Sequence, residues 1–175
     1  MSAKVVFPDA RFSLPLMVAV CLGGLACEDS TGLSLESEPL IQTDSPEYRL
    51  QPYGAGWRVQ IPYTFTNRTG RTVYLANCNG GFGLHLDHED NGTWRTAWSP
   101  VLLLCLSPPI VIGRHARFTD TLCVQGARPG TDVRPQFDLD DPSGTYRIVW
   151  DAAYSSSGPD IPLEARISNR FVLRR

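Results

Sequence analysis

Trp57-Arg-Val-Gln-Ile-Pro-Tyr-Thr-Phe-Thr66 decides the fold class. Every second residue (Trp57, Val59, Ile61, Tyr63, Phe65) is a large apolar or aromatic one, and apart from Pro62 the residues between are polar. A period of two sends alternate side chains to opposite faces of an extended strand, whereas a helix spaces its apolar residues three and four apart. The stretch therefore predicts a strand with one buried face. Pro62 has no N–H for a ladder, which predicts a sheet edge or a bulge at that position.

The same alphabet continues outward. Asn67-Arg-Thr-Gly70 reads as a turn and Thr72–Ala76 as the next strand. Asn91-Gly92 separates Leu84–His88 from Thr93–Trp98, and Asn-Gly between alternating runs is a strong hairpin signal. Further strands are predicted at Ile110–Ile112, Ala116–Val124, Pro135–Leu139, Thr145–Tyr154 and Ala165–Leu173. The 14 prolines and 15 glycines punctuate the chain, and no segment reads as a long helix. The expectation is an all-β domain, an antiparallel β-sandwich of seven to eight strands. Its predicted core is Trp57, Val59, Ile61, Tyr63, Phe65, Leu75, Leu84, Leu86, Phe118, Ile148, Trp150 and Phe171.

Asp141-Pro-Ser-Gly-Thr-Tyr146 resembles the tyrosine corner of immunoglobulin-like domains, with one more residue than usual between the aspartate and Gly144. That resemblance implies an immunoglobulin-like sandwich in which the Tyr146 hydroxyl bonds back to the preceding turn. Residues 56–173 also resemble bacterial proteins of the intracellular proteinase inhibitor type. The likeness is carried by the Tyr63–Gly70 turn, Gly92-Thr-Trp94, Gly113 and Gly144-Thr-Tyr-Arg147. It implies the same fold and, as an alternative function, proteinase inhibition through an extended loop.

The first residues read as an address. Lys4 and Arg11 precede the apolar run Leu14–Ala26, which is shorter than the roughly 20 residues that cross a bilayer. This predicts a signal peptide over 1–26. Leu25-Ala26-Cys27, after Gly23-Gly24, resembles the lipobox of bacterial lipoproteins. The resemblance implies cleavage before Cys27, lipidation of its thiol, and location in the cell envelope with the membrane as a partner. Residues 27–46 are predicted to be the lipidated cysteine and a flexible tether, with Leu40 and Ile41 as a possible first strand, and 47–175 the sandwich. Residues 27–175 carry 14 basic and 17 acidic side chains, a balance that argues against nucleic acid as a partner. Lys4 is the only lysine, which excludes a lysine Schiff base or a P-loop lysine in the mature chain.

No nucleophile elbow, zinc-protease helix or phosphate loop is present, so the chain is read as a non-enzyme that needs no cofactor and acts as a monomer. Among Cys78, Cys105 and Cys123 three pairings are possible. Cys78–Cys105 is favoured because both flank loops, leaving Cys123 as a buried free residue of a strand. His85 and Asp87 share one strand face and His88 takes the other, so they read as solvated side chains rather than metal ligands. Asp138–Gly144 loosely evokes a calcium loop but lacks its glycine and its final glutamate, and no metal is expected. Asn67-Arg-Thr69 and Asn91-Gly-Thr93 match glycosylation sequons but are read as turns.

The function expected is binding of an envelope protein or glycan through loops on a rigid scaffold. The predicted edge comprises Asn77–Phe82 and Ser99–Pro109, with Asn77, Asn79, Phe82, Trp98 and Leu103 as binding residues. Trp94, Trp98 and Val101–Leu104 then form either an exposed apolar patch or part of the core.

Overall fold

The computed structural model describes residues 38–102, 106–155, 158 and 160–175, all within one unit, Glu36–Arg175. Cys27, Leu103 and Cys105 lie outside the described residues, as does the leader. In chain order the strands are β1 (Ile41–Thr43), β2 (Glu47–Arg49), β3 (Gln51–Tyr53), β4 (Gly56–Thr66), β5 (Val73–Leu75), β6 (Asn77–Cys78) and β7 (Gly81–Phe82). There follow β8 (Leu84–Asp90), β9 (Thr93–Trp98), β10 (Ile110–Ile112), β11 (Arg117–Ala127), β12 (Gly144–Trp150), β13 (Ala152–Ala153) and β14 (Phe171–Arg174). A single 3₁₀ turn at Leu163–Ala165 is the only helical segment among the described residues.

The alternating stretch is β4, and it pairs antiparallel with β11 over eleven residues, from Gly56↔Ala127 to Thr66↔Arg117. β1 and β3 lie along its other side. A second sheet runs β2–β14–β12–β8–β9, antiparallel except for the parallel β14–β2 pair. A small sheet β10–β5–β13 and the β6–β7 hairpin complete the set. Val59, Ile61, Tyr63 and Phe65 turn inward, as their period requires, and meet the second sheet at Trp150. The Trp150 ring lies 5.7 Å from Tyr63, 4.7 Å from Phe65 and 5.9 Å from Phe118. Each such fully buried large side chain contributes about 1.5–3 kcal/mol through removal from water. Of the twelve predicted core residues, only Trp57 and Phe118 are half-buried rather than buried.

β4 is not an edge strand, yet Pro62 fits it. Its carbonyl accepts from Asp44 N–H at 3.1 Å, so the side of the backbone that lacks an N–H faces the β1 flank. There the ladder lapses between the β1 pairing, which ends at Tyr63, and the β3 pairing, which starts at Arg58. The missing donor therefore leaves no partner strand unsatisfied.

The tyrosine corner is formed: the buried Tyr146 Oη donates to Pro142 O at 2.9 Å. Gly144, at φ 148°, sits under the His88 ring, and a Cβ there would come within 2.4 Å of His88 Nε2. That ring is itself held on Tyr146 at 5.0 Å, which is why the position needs glycine.

Several expectations are corrected. The described residues form fourteen strands, not seven or eight, because many two- and three-residue strands pair beside the longer ones and one predicted segment divides between sheets. That segment, Thr145–Tyr154, breaks at Asp151 into β12 and β13, which belong to different sheets. Pro135–Leu139 makes only isolated bridges, through Gln136 and Phe137. In the last predicted strand, Ile167 and Ser168 make isolated bridges and continuous pairing begins only at Phe171. Residues 38–46 are not all tether: Ile41 is fully buried and pairs with Phe65. Cys123 is a free thiol but an exposed one, since Leu122 and Val124 take the inward face of β11. His85 and His88 are half-buried rather than solvated.

Candidate functional site

Asn67 organises the end of the domain that carries the predicted loops. It is fully buried, and its Nδ2 donates to Arg71 O (2.8 Å), Ile112 O (2.9 Å) and Gly113 O (2.9 Å). Its Oδ1 accepts from Thr69 N (3.1 Å) and Thr69 Oγ1 (2.7 Å). The turn predicted at 67–70 is thus stapled to the segment after β10, and this amide is not open to glycosylation. His115 completes the junction at φ 61°, donating its N–H to Asn67 O at 3.0 Å.

Beyond the three-residue pairing of β5 with β10, the two predicted loops meet. Asn77 Nδ2 donates to Pro108 O at 3.3 Å, and Ser107 Oγ to Asn79 Oδ1 at 2.8 Å. Asn79 (φ 55°) and Gly80 (φ 90°) turn the β6–β7 hairpin, and Gly80 N–H donates to Asn77 Oδ1 at 2.9 Å. A groove of about 400 Å³ opens beside this junction, lined by Tyr74, Asn77, Ser107, Asp151 and Asp160 among others. Arg166 approaches Asp151 Oδ1 and Asp160 Oδ2 at 3.9 Å each, and its Nη1 donates to Trp150 O at 3.0 Å. The groove therefore offers carboxylate and amide acceptors beside an aromatic ring, a surface suited to hydroxyl and amide donors.

The predicted binding residues divide. Asn77 lines the groove, and Asn79 is exposed at the junction. Phe82 instead packs edge-on against Phe118, with centroids 5.7 Å apart. Trp98 is not a surface residue: it is 4% exposed, and its Nε1 donates to Gln125 O at 2.9 Å. The cause is a register shift between β8 and β9, where Leu86 faces Trp98 but Asp87 faces Thr96. The bulge turns Trp98 onto the core face that simple alternation from Trp94 would deny it. Among the described residues, the large apolar side chains left in water at this end are Leu102 (37% exposed), Leu106 (81%) and Val111 (59%); Val101 (57%) is also exposed but lies beside Arg134 and Pro135.

One cluster escaped the sequence reading. Asp87 Oδ2 accepts from Arg147 Nε (3.1 Å) and Nη2 (2.9 Å), while Oδ1 accepts from Thr96 Oγ1 (3.2 Å) and lies 3.3 Å from His85 Nε2. The guanidinium groups of Arg147 and Arg170 lie 4.4 and 5.4 Å from the centre of the Trp94 ring. The cross-strand register Arg147↔Asp87 builds this ladder, and the pairing could be found only once β8 and β12 were known to be neighbours. Its carboxylate is saturated with donors, so it braces the sheet rather than serving as a base. No group of three or more potential metal ligands is gathered among the described residues.

No protein family and no curated protein matches the chain. Among solved structures it is similar to Pseudomonas fluorescens alkylpurine DNA glycosylase AlkC bound to DNA containing an abasic site analog, at 10% identity and a TM-score of 0.34. The match covers 79% of this chain and 32% of that one. Similarity at that level establishes no shared topology or activity.

Proposed function

We propose that the chain is a non-enzymatic lipoprotein of the bacterial cell envelope. In this reading an immunoglobulin-like β-sandwich, held to the membrane by lipid on Cys27, binds an envelope protein or glycan in the groove beside the paired loops. The fold part is supported by the layers β1–β4–β11 and β2–β14–β12–β8–β9 and by the Tyr146 corner. The anchor part is supported by the apolar run that ends at Cys27. The observation that carries the binding part is the lacing of two loops, Ser107 to Asn79 and Asn77 to Pro108, into one wall of a groove. Loops fixed on a rigid scaffold bind with little ordering cost.

A photo-crosslinking residue in place of Asp160, in living cells, tests this. A discrete envelope adduct is expected there, absent when the probe replaces Val133 and lost in a Tyr74→Ala, Asp151→Ala background. Identical adducts at both probe positions, or none, would refute the groove. Inhibition of a serine proteinase by the purified chain, abolished by changing Leu106, would put the inhibitor reading in its place.

A further inference from the structure

We propose that the end of the domain from which the N-terminal segment departs rests on the bilayer, with Leu102 and Leu106 entering its interfacial layer. This rests on the Cys27 anchor proposed above and goes beyond it by naming the face that meets the membrane. The first support is position. β1 runs antiparallel to β4, so residue 38 lies at the Thr66 end of β4, where Leu40 O accepts from Thr66 N at 2.8 Å and Glu38 pairs with Arg68 at 3.2 Å. Thr66, Leu84, Arg117 and Trp150 are the residues of β4, β8, β11 and β12 at this end, and the loops carrying Leu102 and Leu106 meet the 77–82 hairpin here.

The second support is reach. Residues 28–37 separate Cys27 from Glu38, and a chain spans at most about 3.5 Å per residue, or roughly 35 Å here. A domain held that closely presents its tether end to the lipid. The third is chemistry. Neither 76–83 nor 99–113 contains a charged residue. Leu106 is 81% exposed and Leu102 37%, and Val111 (59%) stands on the neighbouring strand. Val101 lies against Arg134, Pro135 and Gln136, away from this cap, and is no part of it. The charges around the cap are of mixed sign: Arg68 with Glu38, Arg71 stacked on Tyr154 at 4.1 Å, Arg114, His115, Asp151 and Asp160. Attraction to anionic headgroups therefore does not drive the contact, which is apolar and insensitive to salt. Two leucines are also too small an area for a stable protein interface of about 800 Å² per partner. They suffice as a second, weak contact beside an acyl anchor.

The test uses the full mature protein, extracted from membranes and reconstituted into phosphatidylcholine vesicles with brominated acyl chains. Leu106→Trp and Leu102→Trp are compared with Val133→Trp, which sits beside Gly56 and Ala127 at the opposite ends of β4 and β11. Bromine quenching above the wild-type background is expected at 106 and 102, not at 133, and is unchanged in molar salt. Equal quenching at all three positions, or none at 106 and 102, overturns the proposal. Protection of 99–113 in native envelopes without quenching in vesicles does so too, and reassigns the cap to a protein or glycan. Intact mass of the same preparation separates the two readings. Acylated Cys27 with no quenching leaves the anchor standing and removes the docking, whereas bare Cys27 removes both.

Discussion

The two ends of the domain are built by different means. At the far end, backbone geometry does the closing: Asn91 (φ 49°) and Gly92 (φ 80°) make the two-residue turn between β8 and β9, and the Tyr146 corner seals the entry to β12. At the tether end β5 and β10 are three residues long and β6, β7 and β13 only two, too short to fix one another by ladder bonds. Asparagine side chains take that role instead, Asn67 reaching three carbonyls and Asn77 and Asn79 lacing the loops. Where pairing is short, a buried amide substitutes for a strand.

This contrast is most easily broken at Asn67. Asn67→Ala leaves several buried partners without bonds and should cost about 4 kcal/mol, read as a lowered denaturation midpoint, with increased hydrogen exchange over 67–71 and 112–116. A loss below 1 kcal/mol would mean that the short strands hold this end by themselves. The cysteines come next. Cys78 is buried and is not a free thiol. A Cys78–Cys105 bridge is proposed, and Cys105→Ala should then cost about 3 kcal/mol by the loop-entropy argument. Peptide mapping should join those two while Cys123 alkylates in the native protein; linkage through Cys123 contradicts the pairing.

At the far end the effects are smaller. Tyr146→Phe should cost about 1 kcal/mol because Pro142 O loses its donor. Tyr63 is the control: burial pushes both phenols above their usual range, yet Tyr63 Oη makes no hydrogen bond of normal geometry among the described residues, so Tyr63→Phe should cost nothing measurable or stabilise slightly. Equal losses in urea titrations of the two variants would show that the corner bond adds nothing. The smallest effect belongs to Asp141. Ser143, through its N–H and hydroxyl, and then Arg175 hold the Asp141 carboxyl below the usual carboxylate range. A lowered folded value means stabilisation that is present at neutral pH and lost as pH falls through that value. Asp141→Asn should therefore lower stability slightly at pH 7 and flatten the acid limb, the gap to the wild type closing below about pH 4; a gap that is absent at pH 7, or the same at both pH values, removes this contribution.

What could be read in advance was local. The period of Trp57–Phe65, the Asn91-Gly92 turn and the Tyr146 corner each declare themselves within ten residues, and all three are present. The groove was only half visible. Asn77 and Asn79 stood out as loop residues, but Asp151, Asp160 and Arg166 come from segments far along the chain. Trp98 was misplaced for a related reason, because a one-residue bulge inverts every face after it and leaves no mark in the residue pattern. The Asp87–Arg147 ladder depends on which strands are neighbours, which periodicity does not specify.

β1 carries a mechanical consequence. It is three residues long and is held by Ile41–Thr43 on β4, by the clasp of Asn169 on Thr43 at 2.8 and 2.9 Å, and by Ile41 O, which accepts from Asn169 N–H at 3.2 Å. Load entering through the N-terminal segment arrives at Glu38, on the same end as the groove, and the chain's other terminus, Arg175, follows β14 at the far end. A tug between anchor and bound partner thus passes through a three-residue strand and the asparagine-laced loops. The eleven-residue β4–β11 seam lies one junction further in, so the domain can yield at its rim while its interior stays shut.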